Sequence, residues 1–249
     1  MSDTMNIEDY LAQGGVLTAL GNVPARYRGE LMRLMSSFVD SELAASAGFA
    51  SSINFAPGIK ERIAASRITL EKADHAERVL AVMGDFGTDT RRYQSQHDWA
   101  ARVDRDTDLG VTRREGDMRL SVFHYPINGW TDAVVMKVLQ GLATGVQMDE
   151  LARVSYTPLA EVFREIAPRE ARHAELGLEG LGRIVGNGGQ SEVQASLAYW
   201  RPRVAAGFGV ANSARYDTQA RFGIRHTPNE TLLARWEKLV GEHLGALGL

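Results

Sequence analysis

The sequence contains no cysteine. That excludes a disulfide framework, thiolate metal ligands and iron–sulfur clusters in this chain, and it weakly favours the cytoplasm. No apolar run approaches the roughly 20 residues needed to span a bilayer. The N-terminal stretch MSDTMNIEDY is acidic and has neither the basic start nor the apolar run of a signal peptide. A soluble, cytoplasmic protein with no membrane partner is therefore expected. Charge of neither sign dominates: the formal net charge is -3 over 249 residues. Such a balance gives no electrostatic pull toward nucleic acid, and no aromatic–basic interleaving suggests a base-stacking groove. Apolar residues, by contrast, are plentiful at 44%, enough to bury the core of one large domain.

Helical periodicity dominates the chain, and no convincing strand, short repeat or low-complexity tract is present. Residues 25–51 and 59–83 each carry Leu, Met and Ala on one face and Arg, Glu and Lys on the other. The join INFAPGI (53–59) holds a proline where a helix should begin, so two helices meet in a short turn. Residues 90–117 are polar, a helix followed by a loop. SVFHYPINGW (121–130) is aromatic and non-periodic, which marks it as an access loop. A third long helix runs from Thr131 to about Arg153. SYTP (155–158) then breaks the chain and starts a fourth, with Pro168 in its interior, where a kink shortly before His173 is expected. VGNGGQ (185–190) is a stop. Two more helices follow, around 191–208 and 229–247, the second announced by Thr227-Pro228-Asn229-Glu230. The fold class is all-α. A single domain over 1–249 is expected, with an N-terminal extension (1–26), a bundle core (27–185) and C-terminal helices (186–249).

Glu170 lies three residues before His173, in IAPREARHAEL. Carboxylate and imidazole at that spacing on a helix mark a metal site inside a helix bundle. The companion stretch ITLEKADHAERV places Lys72, a cation, three residues before His75. Glu42, in VDSELAASAGF, is flanked by small and apolar residues, so its carboxylate rises from a core-like surface and needs a partner. Four long helices with inward polar groups at Glu42, His75, Glu170 and His173 resemble a ferritin-like carboxylate bundle. The alternative is that each histidine is a hydrogen-bonded core residue and each glutamate a solvated charge. His97, His124, His226 and His243 have no ligand-like companions and are read as structural or exposed.

Glu42, NFAP, RITLEKADH, FHYP, SYTP, REARH, LAYWRP with GFG, and RHTPNETLLARW occur in an order that resembles the phenylacetate-catabolism family. The similarity runs from about Tyr27 to the C-terminus and is nearest to the catalytic subunit of phenylacetyl-CoA epoxidase, with benzoyl-CoA epoxidase more distant. An iron-storage protein fits less well, because these motifs extend far beyond a bundle core. The resemblance implies a ferritin-like fold, an aromatic acyl-CoA substrate, and a di-iron centre that activates oxygen. It also implies association as a homodimer or with a paralogous helical subunit, plus a separate reductase. The carrier, coenzyme A or a carrier protein, stays open. Tyr199-Trp200 and Trp236 are candidates for the apolar area of such an interface, or ordinary core.

Carried over residue by residue, the family's ligand set is incomplete. Glu42, His75, Glu170 and His173 match. The second-helix glutamate falls on Lys72, and the third-helix carboxylate on Gly141. A charged lysine offers donors only and cannot bind iron. It is expected instead to pair with Glu42 or Glu170. Glu71, four residues before His75 on the same face, is the substitute-ligand candidate, and Gln140 offers a poorer carbonyl ligand. This ligand count favours no metal, or a single metal, over a complete di-iron centre. Two functions remain. One is an enzyme of oxygenase type acting on an acyl thioester, with an altered site or with Lys72 as an acid–base group. The other is a metal-free acyl-CoA-binding or structural partner subunit.

Overall fold

The computed structural model describes residues 6–113 and 116–249. The first five residues of the acidic N-terminus, and residues 114–115 within the polar segment 90–117, lie outside these ranges. The described chain is helical, with one isolated bridge, between Leu17 and Tyr156, in place of any strand. Its helices are α1 (Ile7–Ala12), α2 (Ala25–Ser52), α3 (Ile59–Asp85), α4 (Thr90–Gln94), α5 (Gly129–Leu151), α6 (Thr157–Gly186), α7 (Gln190–Ala205), α8 (Ala214–Arg221) and α9 (Asn229–Ala246). The long elements expected from periodicity, α2, α3, α5, α6, α7 and α9, are all present. The short α1 and α8 carry too few apolar repeats to stand out as helices in the sequence, and α4 is a single turn rather than a substantial helix.

Helix α2 packs along α3, and α5 along α6, while α7 and α9 cover the outer side of α5. Because α5 is covered on so many sides, it is buried almost all round. Its run from Thr131 to Ala143 has no exposed position, the pattern of a central helix rather than an amphipathic one. Helix α6 runs unbroken through Pro168. The backbone bond that proline forfeits is offset by the buried Phe163 and Ile166 on one side and Glu170 and His173 on the other.

Several sequence expectations change when the packing is known. Within the segment 121–130, read as an access loop, Ser121 to Tyr125 are buried, in a short 3-10 turn and the residue after it, while Trp130 lines a surface cleft. The polar strap before it is stapled to the bundle. Met118 N–H donates to Asp40 at 2.7 Å, and Leu120 N–H to the Ser41 hydroxyl at 3.0 Å. Arg105 forms a two-pronged pair with Asp132, both contacts at 2.9 Å. Thr227 does not cap α9. Its hydroxyl donates instead to the fully buried Glu150 (2.8 Å), which also accepts from the backbone N–H groups of His226 and Thr227. Trp200 and Trp236 are core residues with no exposed area. The indole N–H of each is satisfied internally, by Asp132 and by the Leu139 carbonyl. The large exposed apolar side chains lie elsewhere, with Phe55, Ile59, Ile63 and Leu70 grouped along the start of α3.

Two apolar cores result. One gathers α5, α7, α9 and the facing parts of α2 and α6; the other gathers the N-terminal residues with the opposite ends of α2, α3 and α6. On α2 the boundary between them falls between Val39 and Ala44, on α3 between Ile68 and Ala76, and on α6 between Ile166 and Leu181. Glu42, Lys72, His75, Glu170 and His173 occupy these boundaries.

Candidate functional site

The five side chains are brought together at mid-height in the bundle, and each is almost wholly buried. Lys72 Nζ donates to Glu42 Oε1 at 2.7 Å and to Glu170 Oε2 at 2.9 Å. It also lies 2.9 Å from Glu170 Oε1. His75 Nδ1 stands 3.2 Å from Glu42 Oε2 and 2.8 Å from Glu170 Oε1. Carboxylates accept only, so Nδ1 carries the hydrogen. Glu170 Oε1 thus has two close positive or polar neighbours, yet neither is aligned as a hydrogen bond.

His173 turns the other way. Its Nε2 donates to Glu71 Oε2 at 2.6 Å, on the solvent side of the cluster. Its Nδ1 faces Glu170 Oε1 at 3.4 Å with no hydrogen-bond partner among the described residues. The two imidazoles stack, with centroids 5.8 Å apart and planes 29° from parallel. Glu71 therefore orients His173 from outside and does not join the inner carboxylates. Gln140 bonds weakly to Thr144 and also stays outside.

The structure adds a residue that motif reading missed. Lys137, on α5, is buried, and its Nζ lies 3.9 Å from Glu170 Oε2. A lysine inside the apolar run AVVMKVLQGLA was the available signal, since charged residues are almost never buried without a reason. Lys137 stands one helical turn before Gly141, where the family's carboxylate falls. Gly141 itself is a close-approach position: a Cβ there would lie 3.1 Å from Ala174 Cβ and 3.2 Å from Ala174 Cα. A side chain at 141 would press on α6, which must give by a few tenths of an ångström to admit it. Gly141→Ala tests this packing. A helix-interior glycine normally gains up to ~1 kcal/mol on becoming alanine, whereas overpacking costs about 1–3 kcal/mol. Urea denaturation of Gly141→Ala should show a net loss of about 1 kcal/mol; a gain would mean the helices part freely.

Electrostatics follow from this crowding. Burial by itself pulls the Lys72 ammonium down, but the carboxylates of Glu170 and Glu42 outweigh it and hold the proton more tightly than in water. Burial likewise disfavours the Glu170 carboxylate, yet Lys72 and Lys137 keep it ionised well below the usual range. His75 is raised, burial being overcome by its contacts to Glu170 and Glu42. His173 is lowered by burial, with the positive charges of Lys137 and Lys72 adding to the effect. Lys137 is pushed down to about 8, by burial first and by Lys72 second.

Glu42, His75 and Glu170 present ligand atoms within 4.8 Å of one another, a geometry that suits one cation. The cation among them is the Lys72 ammonium. A di-iron centre does not fit these residues. The carboxylates of Glu42 and Glu170 are both bound by Lys72, the fifth ligand position is that lysine, and the sixth is a glycine, which offers no ligand atom. In the cluster His173 Nδ1, His75 Nε2 and Glu170 Oε1 have no hydrogen-bond partner among the described residues.

Fold and site together define an all-α bundle protein whose polar centre is a lysine-neutralised cluster of two carboxylates and two imidazoles. The chain matches the family model of the phenylacetic acid catabolic protein over residues 16–249 and belongs to that family, the phenylacetyl-CoA epoxidase family. It is thereby placed in phenylacetate catabolism. No curated protein matches the chain. Among the described residues no helix is long and apolar enough to cross a membrane.

Proposed function

We propose that this chain is a metal-free partner subunit of an oxygenase complex acting on an acyl thioester, its bundle held by ammonium groups where a catalytic paralogue would hold metal. The observation that carries the reading is Lys72 Nζ, bonded at 2.7 and 2.9 Å to the two carboxylates that would otherwise bridge or bind iron. A lysine salt bridge supplies the positive charge that two buried carboxylates require without a supply of iron or a redox cycle. Lys137 adds a second positive charge on the same side of Glu170, which further disfavours a metal cation.

The exposed apolar stripe fits such a subunit. Ile59, Ile63 and Leu70 share one face of α3, with Phe55 just before it, and are 50–78% exposed. A paralogous helical subunit laid along α3 would cover them, since stripes of this kind mark interaction surfaces. Ile63→Glu together with Leu70→Glu should release the partner without unfolding the chain.

A second reading, an enzyme in its own right, is supported by Lys137. A buried amine near pH 8 is poised for proton transfer at physiological pH.

Metal analysis of protein purified from iron-supplemented cells tests the metal-free reading. The expected result is far less than one metal per chain. Two irons per chain would overturn the proposal and return the site to oxygen activation. Lys72→Glu with Lys137→Asp exchanges both cations for carboxylates on the helices that face Glu170, and this pair should raise iron uptake where the wild type shows little.

A further inference from the structure

The four long helices of the bundle core form two closely packed pairs, α2 with α3 and α5 with α6, and the pairs meet each other along two much sparser seams, α2/α5 and α3/α6. The α2/α5 seam is bridged by the segment between α4 and α5. Arg102 donates to the Ala44 carbonyl of α2 at 3.1 Å, Met118 and Leu120 hold α2 at Asp40 and Ser41, and Arg105 holds Asp132 of α5. Val122 and Phe123 of that segment lie with Ala45 of α2 and Met136 of α5 around one small cavity.

The α3/α6 seam is spanned differently, by a ladder of charged and polar side chains. Glu61 meets Arg183 at 3.3 Å, Glu71 meets His173 at 2.6 Å, Asp74 meets Arg169 at 2.5 Å, and Arg78 meets Glu165 at 2.9 Å. The positions climb α3 as they descend α6, as facing positions on antiparallel helices do. Asp74 also accepts from Arg78, so the last two rungs form one network. Arg183, Arg169 and Glu165 reach well into solvent. Among the described residues no ion pair spans the stretch between the first rung and the second, where Ala65 lies buried beside a surface cleft. Exposed ion pairs are individually weak and are screened by salt, whereas apolar packing is not. A bundle strapped on one side and latched by charge on the other parts first on the charged side.

We propose that the α3/α6 seam is a salt-sensitive gate to the buried cluster. The two helix pairs hinge about the strapped α2/α5 side, and the ladder from Glu61 to Glu165 is the latch. The Glu71–His173 rung lies directly outside Glu170, so parting there lets water and small ions reach the centre. The gate requires neither a metal nor a partner subunit, and it serves either reading of the chain.

The test is thiol labelling. The chain has no cysteine, so one introduced thiol is unique. Ala65→Cys places it at the α3/α6 seam, and Ala45→Cys places it beneath the strap at the α2/α5 seam; both positions are buried. The reagent is uncharged N-ethylmaleimide, each rate being referenced to a free thiol at the same salt. Between about 0.05 M and about 1 M NaCl the Debye length shrinks to about 3 Å. Labelling of Ala65→Cys should accelerate about tenfold over that range, the factor that follows when several weak rungs together lose about 1.4 kcal/mol. Ala45→Cys should not respond. Ile68→Cys, buried one turn further along α3, repeats the reading. On the Ala65→Cys background, Arg183→Glu sets like charges at the first rung and should speed labelling at low salt. Adding Glu61→Arg restores an opposite pair and should return the slow rate. Helical circular dichroism and the melting temperature verify that each variant is folded. The proposal is overturned if the seam thiols ignore salt, if the thiol at 45 accelerates with them, which is global unfolding, or if the Glu61→Arg exchange fails to restore the slow rate. Metal content plays no part in this readout, so its failure leaves the metal-free reading standing.

Discussion

Lys72→Ala is expected to destabilise the fold by about 3–5 kcal/mol, the range for removing one partner of a buried ion pair. The size comes less from the bonds lost than from what is left behind. Glu42 and Glu170 would face each other across a cavity in a low-dielectric interior, having lost their contacts to the ammonium at 2.7 and 2.9 Å and keeping only the imidazole of His75. Lys137, 3.9 Å from Glu170, offsets part of that charge but does not reach Glu42. The control is the same lysine on a neutralised background. With Glu42→Gln and Glu170→Gln in place, Lys72 is itself the uncompensated charge, and Lys72→Met should then be neutral or stabilising, as when a buried ionic group is exchanged for an apolar one of similar volume. Urea denaturation of the set gives the coupling directly. A loss below ~0.5 kcal/mol for Lys72→Ala would mean that water or an ion already neutralises the carboxylates. Added divalent metal offers a further reading of the same variant: a cation that binds the emptied site restores stability through linkage, whereas the wild type should not respond.

Between about pH 8 and 10.5 the stability of the wild type should rise rather than fall. Lys137 titrates at about 8 in the folded chain, pushed down by burial and by Lys72, and near 10.4 when unfolded. In that window the unfolded chain binds one more proton than the folded chain, so the free energy of unfolding increases with pH. The gain is on the order of 3 kcal/mol over the window, at about 1.4 kcal/mol per pH unit. Below pH 8 the charged ammonium is present in both states, and its burial penalty is carried in full. Lys137→Met abolishes the rise. It should also stabilise the chain near pH 7, by less than the full 3 kcal/mol because the attraction to Glu170 is lost with the charge. Other groups titrate here too: Tyr27 is raised to about 12 by burial and acts in the opposite direction above pH 10. The difference between wild type and Lys137→Met isolates the lysine. Parallel curves for the two proteins would show that Lys137 keeps its ordinary proton affinity and that water reaches it.

The amino-acid sequence by itself determined the long helices, because their apolar positions recur with the helical period and their ends carry Pro57, Pro158 and the Gly188-Gly189 stop. It also determined which residue types meet at the centre. Glu42, Lys72, His75, Glu170 and His173 are polar positions on otherwise apolar faces, and a bundle of such faces has one interior in which to put them. The lysine in place of a glutamate was visible as a change of charge at a fixed spacing. Its pairing with both carboxylates follows from the cost of leaving any of the three alone.

Tertiary packing decided the rest. Gly141 reads in one dimension as a lost ligand, but its contact with Ala174 shows a point where α5 and α6 approach so closely that a side chain would press on the neighbouring helix. Lys137 sits in an apolar stretch that points to burial; that it meets Glu170 of α6 and the ring of Phe49 on α2 there is decided by the packing alone. Glu71 shares a helix face with His75, yet the rotation of α3 against α6 delivers it to the far nitrogen of His173. Trp200 and Trp236 could line an interface or a core with equal ease. Asp132 and the Leu139 carbonyl, remote in sequence, accept their indole hydrogens and fix them inside. Each of these outcomes depends on which helix lies against which, and periodicity along a single chain specifies a face without naming its neighbour.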